Sequence, residues 1–198
     1  MDEPRKQSEV QERWQFGLLC NARGLMWGNA VEVGTDRGDF AVRFLRCWRG
    51  ATLYCVDPYV TYAAMNHDRE ADRQIALAQL APFGARVRFR RETSEAAAPR
   101  VPKQIVFVYI DGDHHEEAVS QDCALWWDRL APNGILAGHD INKAPVLKAV
   151  TKFASEVERP VWKCGDRVGS PSWYIYREPD VEPFSWCVGG WLGRRDSQ

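Results

Sequence analysis

The chain lacks a surplus of charge of either sign: 26 Lys and Arg stand against 27 Asp and Glu, a formal net charge of −1. No basic field therefore points to nucleic acid or an anionic membrane. Long apolar runs are also missing. The longest, Ile105 to Ile110, falls far short of the ~18 residues a membrane span requires. The start, Met1-Asp2-Glu3-Pro4-Arg5-Lys6-Gln7, is charged and has no apolar leader core, so no secretory signal is expected. None of the six cysteines, Cys20, Cys47, Cys55, Cys123, Cys164 and Cys187, forms a C-x-x-C pair. That spacing disfavours a zinc site or a disulfide framework and favours free thiols in a reducing compartment. Fifteen Gly and 11 Pro are too few for a collagen-like or low-complexity chain. The expectation is a soluble, cytoplasmic protein with a small-molecule substrate.

What is present has the composition of one globular domain: 198 residues, 45% hydrophobic and 27% charged. Strand and helix signals alternate along it. Residues 9–27 carry Val10, Trp14, Leu18 and Leu19 at roughly helical spacing, which predicts an N-terminal helix packed on the core. Ala30 to Gly34 reads as a strand, Asp39 to Trp48 as a helix, and Thr52 to Val56 as a second strand stopped by Asp57-Pro58. Residues 59–71 show no period, and a helix is expected near Ile75 to Ala81. Further strands are expected at Val87–Phe89 and Ile105–Ile110, and short helical structure at Ala96–Ala98. A helix over Glu116–Leu130 then leads through the turn Pro132-Asn133-Gly134 to a strand at Ile135–Ala137. A helix near Ala144–Val157 and two closely spaced strands at Val161–Lys163 and Trp173–Tyr176 complete the pattern. No helix separates the last two strands, so one should run antiparallel.

This alternation predicts an α/β, Rossmann-like, doubly wound single domain with a mostly parallel seven-stranded sheet and one antiparallel strand. The expected division is 1–27 for the N-terminal helix, 28–178 for the domain proper and 179–198 for a tail.

In such sheets ligands bind beyond the carboxyl ends of the strands. The residues placed there are Gly34-Thr35-Asp36-Arg37-Gly38, Asp57, Thr93-Ser94, Asp111-Gly112-Asp113-His114 and His139-Asp140. Four of these five groups contain acids, which a core does not call for. The first loop spaces its glycines as G-x-x-x-G. Asp36 stands at the third residue of the dinucleotide fingerprint G-x-G-x-x-G, its second glycine, and its carboxylate would repel a pyrophosphate. A ligand without phosphates fits better. Asp57 could accept two hydrogen bonds from a ribose diol, or simply close a turn before Pro58.

Glu32-x-Gly34-x-x-x-Gly38, Asp57, and Ile110-Asp111-Gly112-Asp113-His114 followed by Gly138-His139-Asp140 resemble class I S-adenosylmethionine-dependent methyltransferases, over about residues 28–177. The segment from Ile110 to Asp140 is similar to the branch containing sugar and macrolide O-methyltransferases and cephalosporin-hydroxylase-like proteins. The resemblance implies S-adenosyl-L-methionine as cofactor, with Glu32, Gly34, Thr35, Gly38, Asp57, Ser94 and Asp111 binding it. Glu32, Gly34 and Gly38 would line the methionine end, Asp57 the ribose and Ser94 the adenine. It also places Asp111 on a metal-binding aspartate of catechol- and caffeoyl-CoA-type relatives. His139 and Asp140 fall on their acid–amide metal pair, and His114 on their catalytic lysine.

The residues themselves agree with that chemistry. Asp111 and Asp140 end two strands expected to be neighbours, so a divalent ion (Mg or Mn) could be held by Asp111, Asp140 and His139. Imidazole suits manganese, iron, nickel or zinc better than magnesium, so His139 could instead support the ligands or act as a base. His114, one turn beyond Asp111, could accept the acceptor's proton near neutral pH. The catalytic candidates are thus His114 and His139. The plainer alternative for His114-His115-Glu116-Glu117 is a solvated helix start. Trp126 and Trp127 read as packing residues. Trp14, Trp186 and Trp191 could stack on an acceptor or belong to the core.

The expected function is O-methylation of a hydroxyl on a sugar, phenol or secondary metabolite. Two alternatives stand beside it: a glycosyltransferase using Asp111-Gly112-Asp113 as a D-x-D motif, and a non-catalytic or hydroxylase-like protein of the same fold. The oligomeric state is open, a homodimer included.

Overall fold

The computed structural model describes residues 10–60, 68–164 and 171–178. Seven strands form one sheet in the order β3-β2-β1-β4-β5-β7-β6. They are β1 (Asn29–Val33), β2 (Leu53–Val56), β3 (Val87–Arg90), β4 (Ile105–Ile110), β5 (Leu130–Gly138), β6 (Trp162–Lys163) and β7 (Trp173–Tyr176). Strands β1 to β5 pair in parallel, and β7 runs antiparallel to both β5 and β6. This is the expected seven-stranded sheet with one reversed strand. The chain winds outward from β1 to β3, then returns to start again at β4 on the other side of β1. The crevice at that reversal is where doubly wound sheets bind ligands.

Among the described residues six α-helices flank the sheet: α1 (Phe16–Ala22), α2 (Asp39–Cys47), α3 (Arg69–Leu80), α4 (Ser94–Ala97), α5 (Glu116–Trp127) and α6 (Ala144–Glu156). Strand side chains alternate between two buried layers, as the period of two dictates. Phe107 and Tyr109 join Phe16, Phe40, Phe44 and Trp48 on one face. Val108 and Ile110 join Val119, Trp126, Val146 and Phe153 on the other. Every residue of β4 is buried, which explains its unbroken apolar run. Phe40 stacks on Tyr109 with ring centroids 3.8 Å apart, and Phe44 on Phe107 at 4.8 Å. Each fully buried ring of this kind contributes on the order of 1.5–3 kcal/mol, so the stack pins α2 to the strand that carries Asp111.

Three elements differ from the sequence expectation. The N-terminal helix is shorter than residues 9–27: a 3-10 turn at Arg13–Gln15 precedes α1, which ends at Ala22. Gly24 at φ +71° turns the chain toward β1. Helix α3 starts at Arg69, well before Ile75. Its first turns bury little apart from Asp72 and Ala76, so no apolar period marks them. An N-cap marks this start instead: the Asp68 carboxylate accepts from the Glu70 and Ala71 amides. Finally, Pro132-Asn133-Gly134 lies within β5 as an irregularity, where the register against β4 shifts between Ile105 and Phe107.

Cys20, Cys55, Cys123 and Cys164 are buried free thiols, and Cys47 is half-buried. Cys187 lies outside the described residues. Among the described residues no helix is long and apolar enough to cross a membrane.

Candidate active site

The carboxyl ends of β1, β2, β4 and β5 gather the predicted residues into two neighbouring groups. The first surrounds the β1 loop. Gly34 takes φ +82°, and a Cβ there would stand 2.2 Å from the Asp111 carbonyl oxygen. Only glycine lets the β1 and β4 ends approach so closely. Gly38, at φ +84°, is the N-cap of α2. Glu32 is 1% exposed, and its Oε2 has no hydrogen-bond partner. Burial raises its pKa well above the ordinary carboxyl value, and the nearby Asp111 and Asp57 add to the rise, while the Thr35 hydroxyl works against it. A buried carboxyl with an unsatisfied oxygen is a place that a donor or cation would stabilise.

Asp57 ends β2 and is 4% exposed. Its carboxylate accepts from the Asp36 amide at 2.9 Å and the Tyr59 amide at 2.7 Å. Arg69, from the start of α3, reaches the same carboxylate. Tyr59 in turn donates its hydroxyl to the Asp36 carbonyl at 2.7 Å. Asp36, Tyr59 and Asp140 all have positive φ, at 48°, 49° and 59°. For a bulky residue such as Tyr59 this is uncommon strain, and such strain collects at sites whose surroundings enforce it.

Ser94 opens α4, after β3. Its hydroxyl accepts from the buried Trp126 indole at 3.3 Å and lies beside Asp122. Burial, first, lifts the Asp122 pKa to about 6, with Glu95 and Asp113 adding and Ser94 subtracting.

The second group joins β4 to β5. Asp111, His139 and Asp140 each present one potential ligand atom, all within 4.8 Å of one another. His139 Nδ1 is 3.4 Å from Asp111 Oδ1 and 3.4 Å from Asp140 Oδ1. Burial alone would lower the His139 pKa, but the two carboxylates outweigh it and raise it. His114 Nε2 lies 2.6 Å from Asp140 Oδ2 and 3.8 Å from Asp111 Oδ1. The Asp140 carboxylate is therefore the near neighbour of a buried Nε2. A small cavity opens here, lined by Asp111, His114, His139, Val119, Val146 and Trp173. Trp173 caps it: its indole donates to the His139 carbonyl at 3.2 Å, and its ring fills the space a Cβ at Gly138 would need.

Two cations that sequence reasoning missed enter this group. Arg13 Nη1 is 3.5 Å from Asp111 Oδ2, and Lys143 Nζ is 2.7 Å from Asp140 Oδ2. Arg13 comes from the N-terminal 3-10 turn, and nothing local in the sequence tells which strand end it meets. As a donor set, two carboxylates and an imidazole suit a divalent ion. An ion there would have to replace Arg13 and Lys143 as counter-charges.

Asp113 does not join Asp111. Its carboxylate accepts from the His115 amide at 2.8 Å, with the exposed His115 ring beside it. A D-x-D metal grip would need both acids on one ion, so the glycosyltransferase alternative loses its motif. Trp126 is fully buried and Trp127 packs edge-on against Phe153, as packing residues do. Trp14 is partly buried, with its indole donating to Glu12. His67, Trp186 and Trp191 lie outside the described residues.

Comparison with known proteins gives the fold a family. Among solved structures, cofactor-bound Rv0187 from MTB superposes with a TM-score of 0.61 at 15% identity, covering 88% of this chain and 84% of the other. The O-methyltransferase from Bacillus cereus in complex with SAH gives 0.60 at 15% identity, covering 88% and 84%. The O-methyltransferase TomG from Streptomyces achromogenes, involved in tomaymycin synthesis and bound to SAM, gives 0.61 at 12% identity, covering 84% and 79%. At such identities these likenesses speak to the fold alone. No curated protein matches in sequence. The family described as "Methyltransferase domain" matches residues 31–141, more than half of the chain and the stretch that runs from β1 past Asp140. The protein therefore belongs to the methyltransferase-domain family.

Proposed function

We propose that the protein is an S-adenosylmethionine-dependent O-methyltransferase that methylates a hydroxyl of a small molecule. The observation that carries this reading is His114. It lines a cavity beside Asp111, with Nε2 held 2.6 Å from the Asp140 carboxylate, at the switch point of a methyltransferase sheet. A general base must stand within reach of the proton it takes, and it works best when a second group orients it.

In this reading Glu32, Gly34, Thr35, Gly38, Asp57, Ser94 and Asp111 serve the cofactor. The sulfonium supplies an activated methyl group, so the protein has to position the acceptor oxygen and remove its proton. Glu32 offers its unsatisfied carboxyl oxygen to the methionine end. Asp57 offers a carboxylate to the ribose. His114 accepts the hydroxyl proton, and Asp140, 2.6 Å from Nε2, stabilises the imidazolium that forms. Trp173, Val119 and Val146 exclude water from the acceptor's side of the cavity, which strengthens the charge interactions there.

A divalent ion would be held by Asp111, His139 and Asp140, and its chemistry would be to acidify the acceptor hydroxyl. The specific observation against requiring one is that Arg13 and Lys143 already balance the two carboxylates. Under that second reading His114 and Asp140 suffice.

The test is methyl transfer. Purified protein with S-adenosylmethionine and a panel of sugars, phenols and hydroxylated secondary metabolites should give S-adenosylhomocysteine with at least one acceptor. Calorimetry should show S-adenosylhomocysteine binding that Asp57→Ala weakens by roughly 1.5–3 kcal/mol. No binding to the wild type would refute the cofactor assignment. Binding without transfer to any hydroxylated acceptor would favour the non-catalytic alternative.

A further inference from the structure

Under the cofactor reading above, Asp57 accepts two ribose hydroxyls, but every position on its carboxylate is taken. A carboxylate offers about four lone-pair sites on its two oxygens. Oδ1 takes the Tyr59 amide at 2.7 Å, and Oδ2 takes the Asp36 amide at 2.9 Å. Arg69 Nη2 fills the remainder, 3.0 Å from Oδ2 and 3.3 Å from Oδ1.

These donors differ in freedom. The two amides belong to left-handed residues tied to each other by the Tyr59 hydroxyl. Moving either would undo both turns. Arg69 reaches Asp57 with a side chain, and it has other partners. It also contacts Asp36, and it bonds Asp72 Oδ2 at 3.0 Å. Its guanidinium lies over the Tyr59 ring, 5.3 Å from the centroid.

We infer that Arg69 is a built-in competitor for the cofactor's ribose, which binds Asp57 by displacing the guanidinium. Arg69 swings off Asp57 and stays held by Asp36 and Asp72. The arrangement has a physical reason. A buried carboxylate without a counter-charge is costly, so the ligand-free site is stabilised by a cation where the diol will go. The ribose hydroxyls then make their bonds at the expense of an existing ion pair, and affinity is lower than the contacts alone imply.

The inference predicts that removing a positive, hydrogen-bonding side chain tightens cofactor binding. Calorimetry would compare wild type, Arg69→Ala and Arg69→Gln against S-adenosylhomocysteine and against its analogue lacking both ribose hydroxyls. Arg69→Gln keeps a neutral donor near Asp36 and Asp72 should Arg69→Ala fold poorly, and ligand-free thermal unfolding verifies the fold of each. The expected result is a gain of roughly three- to thirtyfold for S-adenosylhomocysteine in the folded variants, with little or no gain for the analogue. A merely structural Arg69 would weaken both ligands alike. If wild type binds and the folded variants bind equally or more weakly, the inference is overturned while the cofactor reading stands. If no protein binds either ligand, the cofactor reading fails and takes the inference with it.

Discussion

His114 Nε2 stands 2.6 Å from the Asp140 carboxylate, although one follows β4 and the other follows β5. The parallel pairing of those strands, with Ile110 opposite Gly138, sets the two loops side by side. Asp140 also holds Lys143, so the imidazole and an ammonium share one acid.

That geometry predicts the cost of losing the imidazole. His114→Gln should lower turnover by roughly 10²–10⁴-fold, the range for a lost general base. Cofactor affinity should stay nearly unchanged, because in the proposed reading the ring serves the acceptor. Steady-state turnover beside calorimetry checks both halves. An unaltered rate would transfer the role to His139 or to a bound metal.

Metal dependence separates the two readings of the acid cluster. If a divalent ion is required, activity should vanish in excess EDTA and return with manganese or magnesium. Asp111→Asn should then abolish metal rescue. If Arg13 and Lys143 are the resident counter-charges, the EDTA-treated enzyme keeps its full rate.

The buried Asp122 should make stability depend on pH. Its folded-state pKa is raised to about 6, above the ordinary carboxyl value. The unfolded chain therefore releases this proton first as pH rises, and the folded state loses stability between about pH 4 and pH 6. Asp122→Asn removes that loss. Near pH 4 the variant and wild type should be similar, and above about pH 6 the variant should be more stable by on the order of 2–3 kcal/mol. Urea unfolding at pH 4 and pH 7.5 measures the difference. An equal offset at both pH values would refute the assignment to ionisation.

Gly34→Ala should be among the most damaging single substitutions. The new Cβ would meet the Asp111 carbonyl at 2.2 Å from a left-handed backbone. A loss of roughly 3–5 kcal/mol is expected, the range of severe core clashes and strained backbone. Chemical denaturation of Gly34→Ala against Gly24→Ala tests it, because Gly24 is equally left-handed but has open space around it.

The sequence by itself determined the fold class, the reversed strand and most strand ends. Those follow from local rules: period-two burial, helical spacing, and Gly or Pro punctuation. It also set the acids at the strand ends, since a residue directly after a strand can be placed from the strand alone. Gly34, Asp57, Asp111, His114, His139 and Asp140 were all legible in this way. Only the tertiary structure decided their partners. Arg69 reaches Asp57 from a helix whose first turns bury so little that no apolar period marked its start. Arg13 meets Asp111 from a short N-terminal turn. Lys143 meets Asp140 because the chain turns back between β5 and α6. Long side chains span several ångströms and can satisfy several acids, so their choice depends on which strand ends the topology brings together. No spacing rule in the sequence contains that distance.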